Sequence, residues 1–138
     1  MAEQHYEGGC HCGAVRYEVD LDLGNGSIRC NCSLCSKSRA WFAFTTADKF
    51  NLKSGEGDLI RYRWTPPGKP EPNLTYYICS TCGVRTHAEG MDPKGQHTVA
   101  VQLATLEGAD PEVLAKSIHY VDGRHDRFDR QPDNIEAL

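Results

Sequence analysis

Seven cysteines in three groups are the residues of this chain whose type and spacing indicate chemistry. The groups are Cys10 with Cys12, then Cys30, Cys32 and Cys35, then Cys79 with Cys82. Isolated buried thiols would be scattered along the chain. An odd number cannot pair completely as disulfides within a monomer, and a reducing compartment disfavours disulfides. Thiolates two or three residues apart can converge on one Zn²⁺ at about 2.3 Å, so the grouping favours zinc.

The number seven matches one closed zinc site and one open site. A structural zinc takes four protein ligands, whereas a catalytic zinc takes three and keeps one position open. The contiguous triplet supplies the three-ligand site, which consists of Cys30, Cys32 and Cys35. The remaining pairs supply the closed site, which consists of Cys10, Cys12, Cys79 and Cys82. Counting alone also allows one pair to exchange with part of the triplet.

Two histidines lie near enough to the cysteines in sequence to replace a thiolate. His11 lies between Cys10 and Cys12, and His87 follows Cys82 after four intervening residues. The alternative, a surface or hydrogen-bonded histidine, is favoured for both. The other four histidines have no metal-like spacing.

Length and charge narrow the class of protein. The 138 residues fit one domain whose core needs no disulfides, with residues 1–123 as the zinc domain and 124–138 as its polar tail. A formal charge of −4 and the lack of a Lys/Arg run argue against nucleic acid and anionic membranes as partners. Because there is no apolar span and no secretory signal, we expect a soluble cytoplasmic protein. Oligomeric state is left open.

The elements that must position the cysteines are mainly β-strands. Alternation of apolar and polar residues predicts strands over 13–21, 40–46, 59–64, 74–78, 84–89 and 98–103. Asp110 and Pro111 fit the N-cap and first position of the only short helix. Residues 65–73 carry four prolines and predict an exposed loop, and the tail after Val121 predicts a solvated surface segment. The prediction is a mostly β domain of about seven short strands, with cysteines at strand ends.

Three blocks around the cysteines are recognisable. They are Gly-Gly-Cys-His-Cys-Gly-Ala-Val-Arg-Tyr-Glu at 8–18, Cys-Asn-Cys-Ser-Leu-Cys-Ser-Lys at 30–37 and Cys-Ser-Thr-Cys-Gly-Val at 79–84. In this order, over roughly residues 5–123, they resemble the glutathione-dependent formaldehyde-activating enzyme family, which includes the centromere protein V domain.

The resemblance implies a β-tent fold of short antiparallel strands with two zinc sites. It places structural zinc on Cys10, Cys12, Cys79 and Cys82. It places catalytic zinc on Cys30, Cys32 and Cys35. The implied activity is that of an S-(hydroxymethyl)glutathione synthase, a carbon–sulfur lyase that joins formaldehyde to glutathione reversibly.

A zinc on three thiolates carries a net charge of −1, which favours activation of a bound thiol over polarisation of a carbonyl. Around that site, Asn31 and Ser33 are candidates for hydrogen bonds to the thiolates. Lys37 and Arg85 could bind a glutathione carboxylate or be ordinary solvated charges. Trp41 and Phe44 could line the site or belong to the core, and no spacing identifies a general base.

Two other functions compete with this one. A zinc-held binding module without catalysis would need only the closed site. The extra triplet argues against such a module, unless His11, His87 or an aspartate supplies the fourth ligand of the triplet. An open zinc acting on another thiol adduct or small electrophile differs only in the pocket. Seven thiolates would subtract seven charges and two Zn²⁺ would add four, taking the formal charge from −4 to −7, which makes nucleic acid a poorer partner still.

Overall fold

The computed structural model describes residues 3–138 as two β-sheets with two short α-helices. The strands are β1 Gln4–Gly9, β2 Arg16–Leu21, β3 Ser27–Cys30, β4 Phe42–Thr46, β5 Phe50–Ser54, β6 Leu59–Arg63, β7 Leu74–Cys79, β8 Arg85–Met91, β9 His97–Gln102, β10 Leu106–Glu107 and β11 Ile118–Val121. The helices are α1 Ser33–Ser38 and α2 Pro111–Lys116. The prediction of a mostly β fold is confirmed.

The strands divide into a small sheet and a large one. The small sheet has the order β10-β1-β2-β5, and the large sheet has the order β11-β3-β4-β9-β8-β7-β6. All strand pairs in residues 3–138 are antiparallel except β3 with β11, which run parallel. The predicted antiparallel arrangement is wrong for this pair. Strands so far apart in sequence are not constrained by a hairpin, so either direction is open to them.

The main core lies between the two sheets. Alternate residues of β2, namely Tyr17, Val19 and Leu21, are buried, while the residues between them are half-exposed. They pack against Val99 and Val101 of β9 in the large sheet. Period-2 burial of this kind is what one apolar face of a strand produces. The alternation in the sequence therefore places β2 correctly.

The opposite face of the large sheet carries α1. Phe42, Tyr76 and Ala88 form a second buried cluster, against which Leu34 and Cys35 of α1 pack. Phe42 and its neighbour Ala43 are both buried because β4 is covered on both faces. The helix that holds part of the cysteine triplet is thus fixed to the sheet by apolar contacts.

The sequence predicted a single short helix, but residues 3–138 contain two, and α1 is the one that was not predicted. It has six residues within a Cys- and Ser-rich stretch, too short to show an apolar period. Cys32 is its N-cap and Arg39, at φ +57°, is its C-cap. Helix α2 begins as predicted, with Asp110 Oδ1 accepting from the Glu112 N–H at 2.9 Å. Neither helix in residues 3–138 has the length and apolar character needed to cross a membrane.

Several strands also escaped prediction. They are β1, β3, β5, β10 and β11, each of which has six residues or fewer. Polar residues and glycines occupy much of β1, and pairing with β2 and β10 makes it a strand. Tertiary pairing overrides weak local preference in such segments. The proline-rich segment 65–73 is mostly exposed, as expected.

Gly55 allows a sharp test of how the sheets hold the first cysteine loop. It has φ +87°, and a β-carbon there would collide with the Ala14 carbonyl and lie 2.8 Å from Val15 Cα, next to the loop of Cys10 and Cys12. We expect Gly55→Ala to lower the free energy of unfolding by roughly 2 kcal/mol or more, because strain and overlap add. Urea denaturation of the zinc-loaded protein measures it.

Gly57 supplies the matched control. A β-carbon at Gly57 has no atom within 4 Å and its φ is not positive, so Gly57→Ala should change stability little. Equal effects of the two substitutions would contradict the close packing of Gly55 on residues 14 and 15.

Candidate functional site

Two similar turns bring four cysteines together. Cys10 and Cys12 lie in the turn between β1 and β2, whereas Cys79 is the last residue of β7 and Cys82 lies in the turn between β7 and β8. Each turn is closed by a backbone hydrogen bond from its first cysteine. The Cys10 N–H donates to the Val15 carbonyl at 3.0 Å, and the Cys79 N–H donates to the Val84 carbonyl at 2.9 Å.

A glycine follows the second cysteine in both turns. Gly13 has φ +85° and Gly83 has φ +77°. This left-handed conformation costs other residues roughly 1 kcal/mol or more and costs glycine little. The two glycines therefore turn the chain back into the next strand and leave the paired thiols facing each other.

The sulfur positions fit a tetrahedral metal. The Sγ atoms of Cys10 and Cys12 are 3.6 Å apart, those of Cys12 and Cys79 are 3.7 Å apart, and all four Sγ atoms, that of Cys82 included, lie within 4.8 Å of one another. Zinc–sulfur bonds of about 2.3 Å in a tetrahedron place sulfurs about 3.8 Å apart. The geometry therefore suits one four-coordinate ion.

Backbone donors favour thiolates at Cys10 and Cys82. The pKa of Cys12 is instead raised to about 11 despite a backbone hydrogen bond from Ala14, because desolvation and the other three sulfurs favour its thiol form. The Cys10 Sγ accepts from the Val15 N–H at 3.3 Å. Hydrogen bonds from the backbone N–H groups of Cys12 and Val84 lower the pKa of Cys82 to about 6. Backbone donors aimed at sulfur stabilise the charged form that a metal requires.

The three remaining cysteines form a second cluster at the start of α1. Cys30 is the last residue of β3, Cys32 caps α1 and Cys35 lies within it. Their Sγ atoms all lie within 4.8 Å of one another. The Cys32 N–H donates to Cys30 Sγ at 3.4 Å, and the Cys35 N–H donates to Cys32 Sγ at 3.3 Å. The sequence grouping into four and three is therefore reproduced in space.

The three thiols share their protons unevenly. Hydrogen bonds from Cys30 and Cys35 lower the pKa of Cys32 to about 2, and backbone N–H groups of α1 add to the effect. The pKa of Cys35 is raised because its proton is held between Cys30 and Cys32, and burial adds to this. One thiolate is thus strongly favoured in the metal-free cluster, while three need a cation nearby.

Within residues 3–138, no His, Cys, Asp or Glu joins the triplet as a fourth donor. His11 and His87 belong to neither cluster: His11 is exposed, and His87 is buried between the rings of Tyr77 and Phe50 at centroid distances of 4.6 and 4.5 Å. The triplet therefore offers three protein ligands, which is the number expected of an open metal site.

The chain after Val121 forms a wall of the triplet, which the sequence did not predict. A β-carbon at Gly123 would collide with Cys30 Sγ. Asp122, which is buried, accepts from Asn31 Nδ2 at 2.8 Å, and the Arg124 N–H donates to Asn31 Oδ1 at 2.9 Å. Most of residues 124–138 are exposed, as predicted for the segment after Val121. Asp122 and Arg124, at the start of that segment, instead fix the loop between Cys30 and Cys32.

A later part of the same segment covers the triplet. Arg39 Nη1 donates to the Ala137 carbonyl at 2.7 Å. A cavity of about 10 Å³ remains, lined by Arg29, Cys30, Cys35, Arg39, Ala40 and Leu138. This volume suits about one water molecule. Arg29 and Arg39 thus lie at the site although the sequence did not single them out, because nothing local marks them.

The other candidates separate clearly. Asn31 holds the site through the contacts above, whereas Ser33 is exposed. Trp41 packs on the main core and its Nε1–H donates to Ser27 Oγ at 2.8 Å, as expected for a core residue. Phe44 is 48% exposed on β4, and Lys37 is exposed on α1. None of these last four lines the cavity beside the triplet.

The chain is similar in sequence to a known family and in structure to a solved protein. Residues 5–122 match the family model described as glutathione-dependent formaldehyde-activating enzyme. A crystal structure of a Rhodobacter sphaeroides protein is 28% identical in sequence and superposes with a TM-score of 0.67, covering 83% of this chain and 99% of that one. The fold thus has a relative among solved structures.

Burial of His87 makes stability depend on pH. Burial lowers its pKa to about 4 from an ordinary value of 6.5. The unfolded chain binds more protons between these values, so stability falls as pH falls from about 6.5 toward 4. Between pH 7 and pH 5, wild type should lose about 2 kcal/mol more than His87→Phe in denaturant titrations at matched zinc loading. Equal losses in both proteins would contradict a neutral buried His87.

Residues 131–138 should slow loss of a metal from the triplet, because they cover it and leave a cavity of only about 10 Å³ beside it. A chain ending at Arg130 should release that metal to a mild chelator several-fold faster. The metal at the four-cysteine cluster serves as the internal control, since none of the cysteines that would bind it lines the small cavity. Unchanged release from the triplet, followed with a coloured chelator, would show that the segment gives no cover.

Proposed function

Because the chain belongs to the glutathione-dependent formaldehyde-activating enzyme family, we propose that it is a zinc-dependent carbon–sulfur lyase-type enzyme that joins formaldehyde reversibly to glutathione. The observation that carries the proposal is the three-cysteine cluster without a fourth protein donor in residues 3–138. A binding module would need no such open cluster beside a complete one. The proposed setting is the reducing cytoplasm, where thiols persist.

The proposal assigns two zinc ions. Structural zinc would be held by Cys10, Cys12, Cys79 and Cys82, whose sulfur spacing of 3.6 and 3.7 Å suits a closed tetrahedron. Catalytic zinc would be held by Cys30, Cys32 and Cys35. Bound there, it would lower the pKa of the glutathione thiol, so that the thiolate form would be available at neutral pH.

The protein groups around the triplet keep it ready for that role. Backbone N–H groups of Cys32 and Cys35 stabilise negative sulfur at Cys30 and Cys32. Asn31 fixes the loop between the first two cysteines through Asp122 and Arg124. Apolar packing of Cys35 and Leu34 on the large sheet excludes water from one side. These contacts orient the donors and leave the reacting molecules to enter from the other side.

The reaction balances with glutathione and formaldehyde alone. The glutathione sulfur attacks the carbonyl carbon, one C–S bond forms and the π bond of C=O breaks. The thiol proton ends on the new hydroxyl oxygen, and no oxidant or reductant is needed. Tyr76 contributes no base at neutral pH, because burial raises the pKa of its hydroxyl and the neighbouring thiolates of Cys35 and Cys32 raise it further.

Substrate entry requires movement of the cover. A volume of about 10 Å³ beside Cys30 and Cys35 is too small for glutathione. Displacement of Ala137 and Leu138 would free the guanidinium of Arg39, which now donates to the Ala137 carbonyl. In this proposal residues 124–138 are therefore part of the same domain, and substrate binds where Ala137 and Leu138 now lie.

Exchange between formaldehyde hydrate and S-(hydroxymethyl)glutathione, measured by NMR on the zinc-loaded protein, tests the proposal. Wild type should exceed the spontaneous rate, and Cys32→Ser should return to it, because one of the three thiolates is lost. Ser33→Ala is the matched control, since Ser33 is exposed between the same cysteines, and it should retain the wild-type rate.

Zinc content per chain separates the possible outcomes. Two equivalents in wild type and one in Cys32→Ser, with an intact fold, would support the assignment of both sites. Wild-type exchange equal to background would remove the proposed activity. A single tightly held zinc in wild type would instead indicate a zinc-stabilised binding module, and two zinc ions without exchange would indicate another thiol adduct or small electrophile.

A further inference from the structure

A cavity of about 590 Å³ lies apart from the small space beside the triplet. Part of its wall comes from the four-cysteine turns, through His11, Gly83 and Val84. Another part comes from Ser38 at the end of α1 and from Gln102 at the end of β9. Its volume is in the range of sites for small molecules. The proposed reaction gives it no role.

Arg85, at the start of β8, also lines this cavity. It is half-buried, and its Nη1 is shielded from solvent without a hydrogen-bond partner. Its guanidinium lies over the Tyr76 ring, 4.6 Å from the centroid. No carboxylate of residues 3–138 forms an ion pair with it. Buried charges in proteins are normally paired, so an unpaired guanidinium at a cavity wall indicates a missing anion.

Three other polar groups at the wall are already engaged. Glu107 is held by Arg16 through two hydrogen bonds of 2.6 and 2.8 Å. Thr105 Oγ1 bonds to Tyr17 Oη at 2.8 Å and to the Gln102 carbonyl at 2.7 Å. Gln102 Oε1 accepts from the Trp41 N–H at 2.7 Å. Arg85 therefore has hydrogen-bond donors left for a ligand at this wall, and the exposed ring of His11 is the neighbouring group that could assist it.

We propose that this cavity binds a small organic anion of peptide size, with Arg85 anchoring its carboxylate. Guanidinium presents paired N–H donors that match a carboxylate, which favours this group over a neutral ligand. The inference rests on the proposed function, because that function is the reason for testing the cavity with a glutathione derivative. Glutathione carries two carboxylates as well as a thiol. The sequence offered Lys37 and Arg85 equally for this role. Only Arg85 lines the cavity, because Lys37 lies exposed on α1.

Calorimetric titration of the zinc-loaded full chain with S-methylglutathione tests the site. The methyl group blocks the sulfur, so binding reports the carboxylates without the thiol chemistry. Arg85→Gln should weaken binding about 10- to 100-fold, because a charge-assisted hydrogen-bonded pair is lost. Arg63→Gln, which changes an exposed arginine of β6, is the matched control and should bind as wild type does.

A second variant covers the possibility that Arg85→Gln disturbs the fold. Ala104 is exposed and lines the same cavity, so Ala104→Trp should fill it without touching the packing of Arg85 on Tyr76. It should weaken S-methylglutathione to a similar extent. Undiminished affinity in Ala104→Trp, or no measurable binding by wild type, would overturn the proposal.

The exchange measurement keeps this inference distinct from the proposed function. Binding of S-methylglutathione that depends on Arg85, together with background exchange of formaldehyde, would support the anion site and remove the catalytic activity. Accelerated exchange in wild type, together with affinity that Arg85→Gln leaves unchanged, would support the activity and remove the anion site.

Discussion

Repulsion between closely spaced thiolates is the constraint on which the rest of the structure depends. Four sulfurs within 4.8 Å, with Cys79 fully buried, can all ionise only around a cation. One pair comes from the turn after β1 in the small sheet and the other from the turn after β7 in the large sheet. The same ion would therefore tie the two sheets at one end, while the apolar residues between them form the core. Metal binding and folding are coupled in such an arrangement.

In the triplet, repulsion between the thiolates is reduced in a different way. It has one sulfur fewer, and positively charged side chains lie close to it although the chain as a whole is acidic. Arg29 and Arg39 line its cavity, and Arg124 Nε donates to the Asn31 carbonyl at 3.0 Å. Net charge therefore says little about the local field, which depends on the few groups within a Debye length of about 8 to 10 Å. An anionic thiol approaching this cluster would meet these arginines first.

The grouping of the cysteines and the start of α2 at Pro111 could both be predicted, because each is a local pattern with a local cause. Helix α1 could not, since six residues show no period and its support is the sheet beneath it. The contact of Gly123 with Cys30 depends on the parallel pairing of β3 with β11, a long-range event that no neighbouring residues encode. For the same reason Arg85 and Lys37 were indistinguishable until the fold placed one in a cavity wall and the other on the surface.

That parallel pairing of β3 with β11 has a consequence for assembly on the ribosome. The thiols of Cys30, Cys32 and Cys35 emerge early in synthesis, but the strand beside them and the segment that covers them emerge some 90 residues later. Contacts of such high sequence separation form late and slowly. During this interval the nascent chain presents three uncovered thiols to its surroundings, so the order of translation leaves these cysteines open to metal or to oxidation before their own wall exists.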